Sequence, residues 1–167
     1  MNVGFDVKSI HAQWVLGLIA PDDLPDIAIN AIAAGLESKS IVELAGLSKD
    51  QMGAAPGLFE KVLNDLGLRD LEKKDALKRY AKLISTSILA SDITPLEGAK
   101  RIWRATIKAG VSEFHDLDGF IYAASELEDR PEDKAQFEKA IFAEAARWKG
   151  EEDAERSAIT VSPPFGD

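Results

Sequence analysis

The chain has 167 residues, 46% of them hydrophobic, no cysteine, and a formal charge of −9 at pH 7. That length fits one domain or two small ones, and the missing cysteine excludes disulfides, thiolate nucleophiles and cysteine-ligated metal centres. The excess of negative charge opposes nonspecific attachment to nucleic acid or anionic lipid, so nucleic acid is not an expected partner.

Helical patterns dominate from the start and strand patterns are nearly absent. Val7, Ile10, Trp14 and Leu18 recur on one face of a first helix. His11 lies at the margin of that face. Asp22-Asp23-Leu24-Pro25-Asp26 combines carboxylate caps with a proline in a first turn, and predicts a second helix that buries Ile27, Ala28, Ala31 and Ile32 and stops at Gly35. Ser38 caps a short helix over 39–45 that Gly46 ends. Ser48 and Gln51 have capping-box spacing, and Pro56 breaks the helix that follows near Ala55. A new helix over 56–66 stops at Gly67.

Gly67 to Asp70 is the predicted hinge between an N-terminal unit, 1–69, and a C-terminal unit, 70–150. Asp70 caps a long helix reaching about Ala90, with Leu77, Tyr80, Ala81, Ile84 and Ile88 inward. Thr94-Pro95-Leu96-Glu97 then has the residues of a full capping box, with Glu97 closing it and Trp103 seating the helix in the core. Gly98 inside that helix predicts close approach of a neighbouring helix. Gly110 stops it. Leu117, Phe120, Ile121 and Ala124 mark the next helix, to about Asp129. Pro131 opens the last, striped by Phe137, Ile141, Ala145 and Trp148 and ended by Gly150. The charged, aperiodic segment 151–167 is expected to be a flexible C-terminal tail, with a short extended piece at Ile159–Val161. The predicted fold is therefore all-α, a bundle of about eight helices in two small units.

Charge is unevenly placed. From Lys73 to Lys108 nine bases face three acids, and from Glu113 to Asp133 eight acids face Arg130 alone. An acidic surface of that kind steers a basic protein partner. The residues assigned to it are Asp116, Asp118, Tyr122, Glu126, Glu128, Asp129, Glu132 and Asp133. The competing reading is that neighbouring basic and acidic helices neutralise each other across their solvated rims. A nucleic-acid surface would need Lys78, Lys82, Arg101, Arg104 and Lys108 on one exposed face.

No nucleophile elbow, phosphate loop, dinucleotide fingerprint or zinc-ligand motif is present, so no catalytic residue and no cofactor are assigned. The alternative function is a small-molecule or metal-dependent enzyme with a site between the two helical units, using His115 with Asp116, Asp118 or Glu126 to bind a divalent metal or act as an acid–base pair. The longest apolar run, Trp14 to Ala20, falls well short of the roughly 20 residues of a membrane span. The N-terminus has no basic start followed by an apolar stretch, so no signal peptide is expected. These features predict a cytoplasmic protein with no membrane partner. The apolar first helix could cover a second copy as readily as its own core, which leaves a homo-oligomer open.

The texture of the C-terminal unit, Ile93-Thr94-Pro95-Leu96-Glu97-Gly98-Ala99, then Ile102-Trp103, Phe120 and Ser125-Glu126-Leu127-Glu128-Asp129, resembles bacterial all-helical proteins, some of them similar to immunity proteins. That resemblance implies a helical binding module that neutralises a cognate toxin by contact. The chain differs from the small four-helix colicin-type immunity proteins in length and pattern.

Overall fold

The computed structural model describes residues 5–68 and 70–160, the side chains of residue 152 and residues 155–160 excepted. Among them are eight α-helices and no strand: α1 Val7–Val15, α2 Leu24–Ala33, α3 Lys39–Ala45, α4 Ala55–Asp65, α5 Lys73–Leu89, α6 Pro95–Ala109, α7 Asp118–Asp129 and α8 Lys134–Thr160. Short 3-10 turns lead into α2, α4, α7 and α8. The chain divides into two compact units between Ala76 and Leu77, a few residues beyond Gly67–Asp70 and one turn into α5. Among the described residues no helix is long and apolar enough to cross a membrane.

The first unit is built from α1 to α4. Asp6 caps α1 by accepting from the backbone N–H of Lys8 and Ser9 at 3.1 and 3.2 Å, and Ser38 caps α3 through the N–H of Ile41. Gln51 closes its box on the backbone N–H of Ser48 at 3.2 Å, and Pro56 sits in the first turn of α4, where its missing donor costs nothing. The core gathers Leu24, Ala28, Ala31, Ile41, Leu44, Phe59, Val62 and Leu63, with Ile10 and Trp14 packed at its edge. Ile32 is exposed, because the buried stripe of α2 follows Leu24, Ala28 and Ala31 and Ile32 lies a quarter-turn away. His11 is buried rather than marginal, at 4% exposure, and Ala12 and Leu16 round the helix from it are buried too.

In the second unit α6 packs on α7 and α8, and α7 on α8. The expected stripe of α8 is buried as Phe137, Ile141, Ala145 and Trp148. Glu72, not Asp70, precedes α5: its carbonyl accepts the N–H of Ala76. Thr94 caps α6 through the N–H of Glu97 at 3.2 Å. Glu97 does not close the box, because its carboxylate accepts from Arg101 at 2.9 Å, one turn on. Ile102, with Ala99, Ala105 and Ala109, seats α6, while Trp103, about a quarter-turn from Ile102, is only half-buried. At Gly98 the helix lies tight against α5. A β-carbon there would lie 2.5 Å from Ile88 Cδ1 and 3.1 Å from Ile84 Cγ2 of α5.

Five helices end in one way. After α1, α2, α4, α5 and α6 a residue with positive φ turns the chain, and its N–H and the next one bond back to the last helical turn. Four of these residues are Gly17, Gly35, Gly67 and Gly110; the fifth is Ser91, at φ 62°. Gly150 does not act this way. It continues α8, and Arg147 bonds Glu151 across it at 2.7 Å, so residues 151–160 of the expected tail are helical, Ile159 and Thr160 included. Val161 and the rest of the tail lie outside the described residues.

Candidate functional site

The α7 region is assembled by its flanks. Gly110 reverses the chain after α6, a 3-10 turn over His115–Leu117 follows, and Leu117 enters the core ahead of α7. Phe120, Ala123, Ala124 and Leu127 hold α7 down. Helical spacing therefore puts Asp118, Tyr122, Glu126 and Asp129 on the opposite face. Tyr122 is 58% exposed, a large aromatic with carboxylates one turn before and one turn after it. Arg130 ends the helix in a non-helical conformation and Pro131 opens the turn into α8.

Several of these acids already have partners. Asp116 lies 3.6 Å from Lys78, whose ammonium also sits 5.7 Å above the Phe114 ring. Asp118 meets His115 Nδ1 at 3.0 Å. Arg130 lies between Glu126 and Asp133 at 3.9 and 3.4 Å, over the ring of Phe137. All are solvent-exposed pairs, the kind worth about 0–1 kcal/mol each. Glu128, Asp129 and Glu132 make no ion pair among the described residues. The neutralisation anticipated for adjacent basic and acidic helices is thus local: it takes up Asp116 through Lys78 and leaves the distal end of α7 negative.

The enzymatic alternative finds little geometry. His115 is 86% exposed at its side chain, and Asp116 turns to Lys78 instead of joining His115 and Asp118. Among the described residues no three histidine, aspartate or glutamate side chains come together as metal ligands. A polar groove of about 270 Å³ is bordered by Lys78, Lys82, Asp116, Arg147, Trp148 and Glu151. Its charges are largely matched within the protein, Lys78 by Asp116 and Arg147 by Glu144 and Glu151. The hydrogen bond that Arg147 donates to Glu144 leads the effects that hold its guanidinium further into its charged range.

Of the five bases a nucleic-acid surface would need, Lys78 and Lys82 border the groove and Arg101, Arg104 and Lys108 lie on α6. Lys78 is engaged by Asp116 and Arg101 by Glu97, while Arg104 and Lys108 stand on the outer side of α6. The Arg101 bond holds the Glu97 carboxylate below its usual range. Nearby, burial raises the Tyr80 phenol, an effect that the positive charge of Arg101 opposes.

The first unit holds a cleft that the sequence did not reveal, of about 350 Å³, lined by His11, Trp14, Val15, Glu60, Leu63, Asn64, Leu68, Asp70 and Leu71. The signals were the i, i+3 pair His11–Trp14 and the i, i+4 pair Glu60–Asn64, but nothing local says that these faces meet. Compared with known proteins, the chain matches no family model, no curated protein and no solved structure.

Proposed function

We propose that the chain is a non-enzymatic protein-interaction module, adaptor- or immunity-like, that binds a basic protein partner through the outer face of α7 and the junction after it. The observation that carries this reading is Tyr122, exposed in the middle of a line of carboxylates on a helix whose other face is fully packed. An aromatic of low side-chain entropy on a rigid support is a good anchor for an interface centre. Carboxylates around it, with Glu128, Asp129 and Glu132 left unneutralised, raise the encounter rate with a cationic surface more than they raise affinity. The absence of cysteine suits a reducing cytoplasm.

The test has two steps. A protein retained by the immobilised chain from the source lysate at low salt, and released as salt rises, is identified and purified. Its association with the chain is then timed. Glu128→Lys with Asp129→Lys should slow association by about tenfold at low salt and leave the helical circular dichroism unchanged. Tyr122→Ala should speed dissociation, at a cost of about 2 kcal/mol. A partner whose association ignores the charge reversal and whose complex ignores Tyr122 sinks this assignment.

A further inference from the structure

We propose that the cleft of the first unit binds a small primary amine, an ammonium group carried on a compact aromatic or apolar body. This site is separate from the face of α7 and does not depend on it. Its volume of about 350 Å³ lies in the range of small-molecule pockets, roughly 300–1,000 Å³. Two helix faces and a following segment form it: His11 and Trp14 from α1, Glu60 and Asn64 from α4, and Asp70 beyond α4.

The chemistry of that lining selects the ligand. Its described lining carries two carboxylates, Glu60 and Asp70, groups that attract a cation. Trp14 donates its indole N–H to Glu60 Oε1 at 2.7 Å, which fixes the carboxylate, and the second oxygen makes no hydrogen bond among the described residues. An ammonium has three donors and no acceptor. The carboxylates of Glu60 and Asp70 and the amide oxygen of Asn64 supply three acceptors in one cleft. Leu63, Leu68 and Leu71 give the apolar remainder of a ligand a wall, and tryptophan is the aromatic that attracts cations best. A small molecule is favoured over a lysine on a protein surface by the size of the cleft and by its position beside the buried His11, which is 4% exposed.

The experiment uses the full chain and follows the Trp14 indole N–H resonance, assigned with Trp14→Phe, during titration with benzylamine, benzyl alcohol and benzoate. The expected result is a saturable shift for benzylamine with a Kd on the order of 1 mM, at least about tenfold weaker binding of the alcohol, and none of benzoate. Glu60→Gln preserves the shape and the acceptor for Trp14, and should weaken benzylamine about tenfold. Asp70→Asn, on an exposed segment, gives a second reading should the first variant disturb the helix contact. No saturable shift with benzylamine, an equal response to all three probes, or affinity unchanged in both variants overturns the proposal.

Discussion

The two units reach a packed core by different routes. The first uses four helices of 9, 10, 7 and 11 residues, each shorter than the roughly 12–15 residues at which a helix in water becomes even marginal by itself. Caps and large side chains such as Phe59 hold them, Trp14 meets the Phe59 ring edge-on at 5.2 Å, and the arrangement leaves a cleft. The second unit uses longer helices and brings them together on small residues, Gly98, Ala99, Ala105 and Ala109 on α6 and Ala123 and Ala124 on α7. Short helices pinned by bulky groups leave a cleft of about 350 Å³; where the longer helices meet on glycine and alanine, the groove of about 270 Å³ that remains is bordered by charges largely paired within the unit. The cleft argued to take a ligand lies in the first unit, and the exposed, charged face of α7 in the second.

The largest test of this contrast is a pair of truncations. Phe120→Ala, at a side chain with no exposure and a neighbour in Trp148 at 6.5 Å, should cost about 4 kcal/mol in urea unfolding, because tightly crossed helices cannot collapse onto the hole. Phe59→Ala should cost nearer 3 kcal/mol, since half-buried Trp14 against its ring has room to relax. Equal losses would remove the distinction.

Two glycines inside helices sharpen it with opposite signs. Gly98→Ala should destabilise by about 1–2 kcal/mol, because overpacking against Ile88 outweighs the gain in helix propensity. At Gly57 of α4 a β-carbon meets nothing within 4 Å, so Gly57→Ala should stabilise by about 0.5 kcal/mol. The same urea titrations read both.

The smallest effect is confined to alkali. Burial raises the Tyr80 phenol above its ordinary value of 10.0, so the folded state keeps a proton that the unfolded chain gives up. The stability this contributes is whole below about pH 10 and is lost as pH climbs through the raised folded value. Tyr80→Phe should therefore flatten the alkaline fall in melting temperature relative to the parent and leave the neutral value nearly unchanged.

How far the sequence could be read follows the range of each interaction. Caps and stops act within four residues, so Thr94, Ser38, Gly35, Gly67 and Gly110 were legible, as was the α8 stripe from Phe137 to Trp148. Gly98 announced a close neighbour but not which one. Trp103 and Ile32 misled because apolar size was taken for burial, while the true stripes were set by the partner helix. Glu97 had two acceptable hydrogen-bond donors within reach, and pattern alone does not choose between them. Glycine by itself is not a stop: Gly150 takes no positive φ, and α8 runs through it. The acidic residues of the face were legible as a run, but the division into engaged Asp116 and unpaired Asp129 depends on where Lys78 and Arg130 come to rest. The cleft, made by segments some fifty residues apart, was not legible at all.

One turn has a consequence for how far the molecule sits from its own optimum. Ser91 adopts the left-handed conformation that the four equivalent helix ends assign to glycine, at a steric cost of about 1 kcal/mol. Natural chains settle just above the stability that selection demands and leave such increments unused. Ser91→Gly should recover about 0.5–1 kcal/mol, measured as a higher urea midpoint with unchanged slope. Ser91 belongs neither to α7 nor to the lining of the first unit's cleft, so that reserve would widen the set of substitutions the fold tolerates at either.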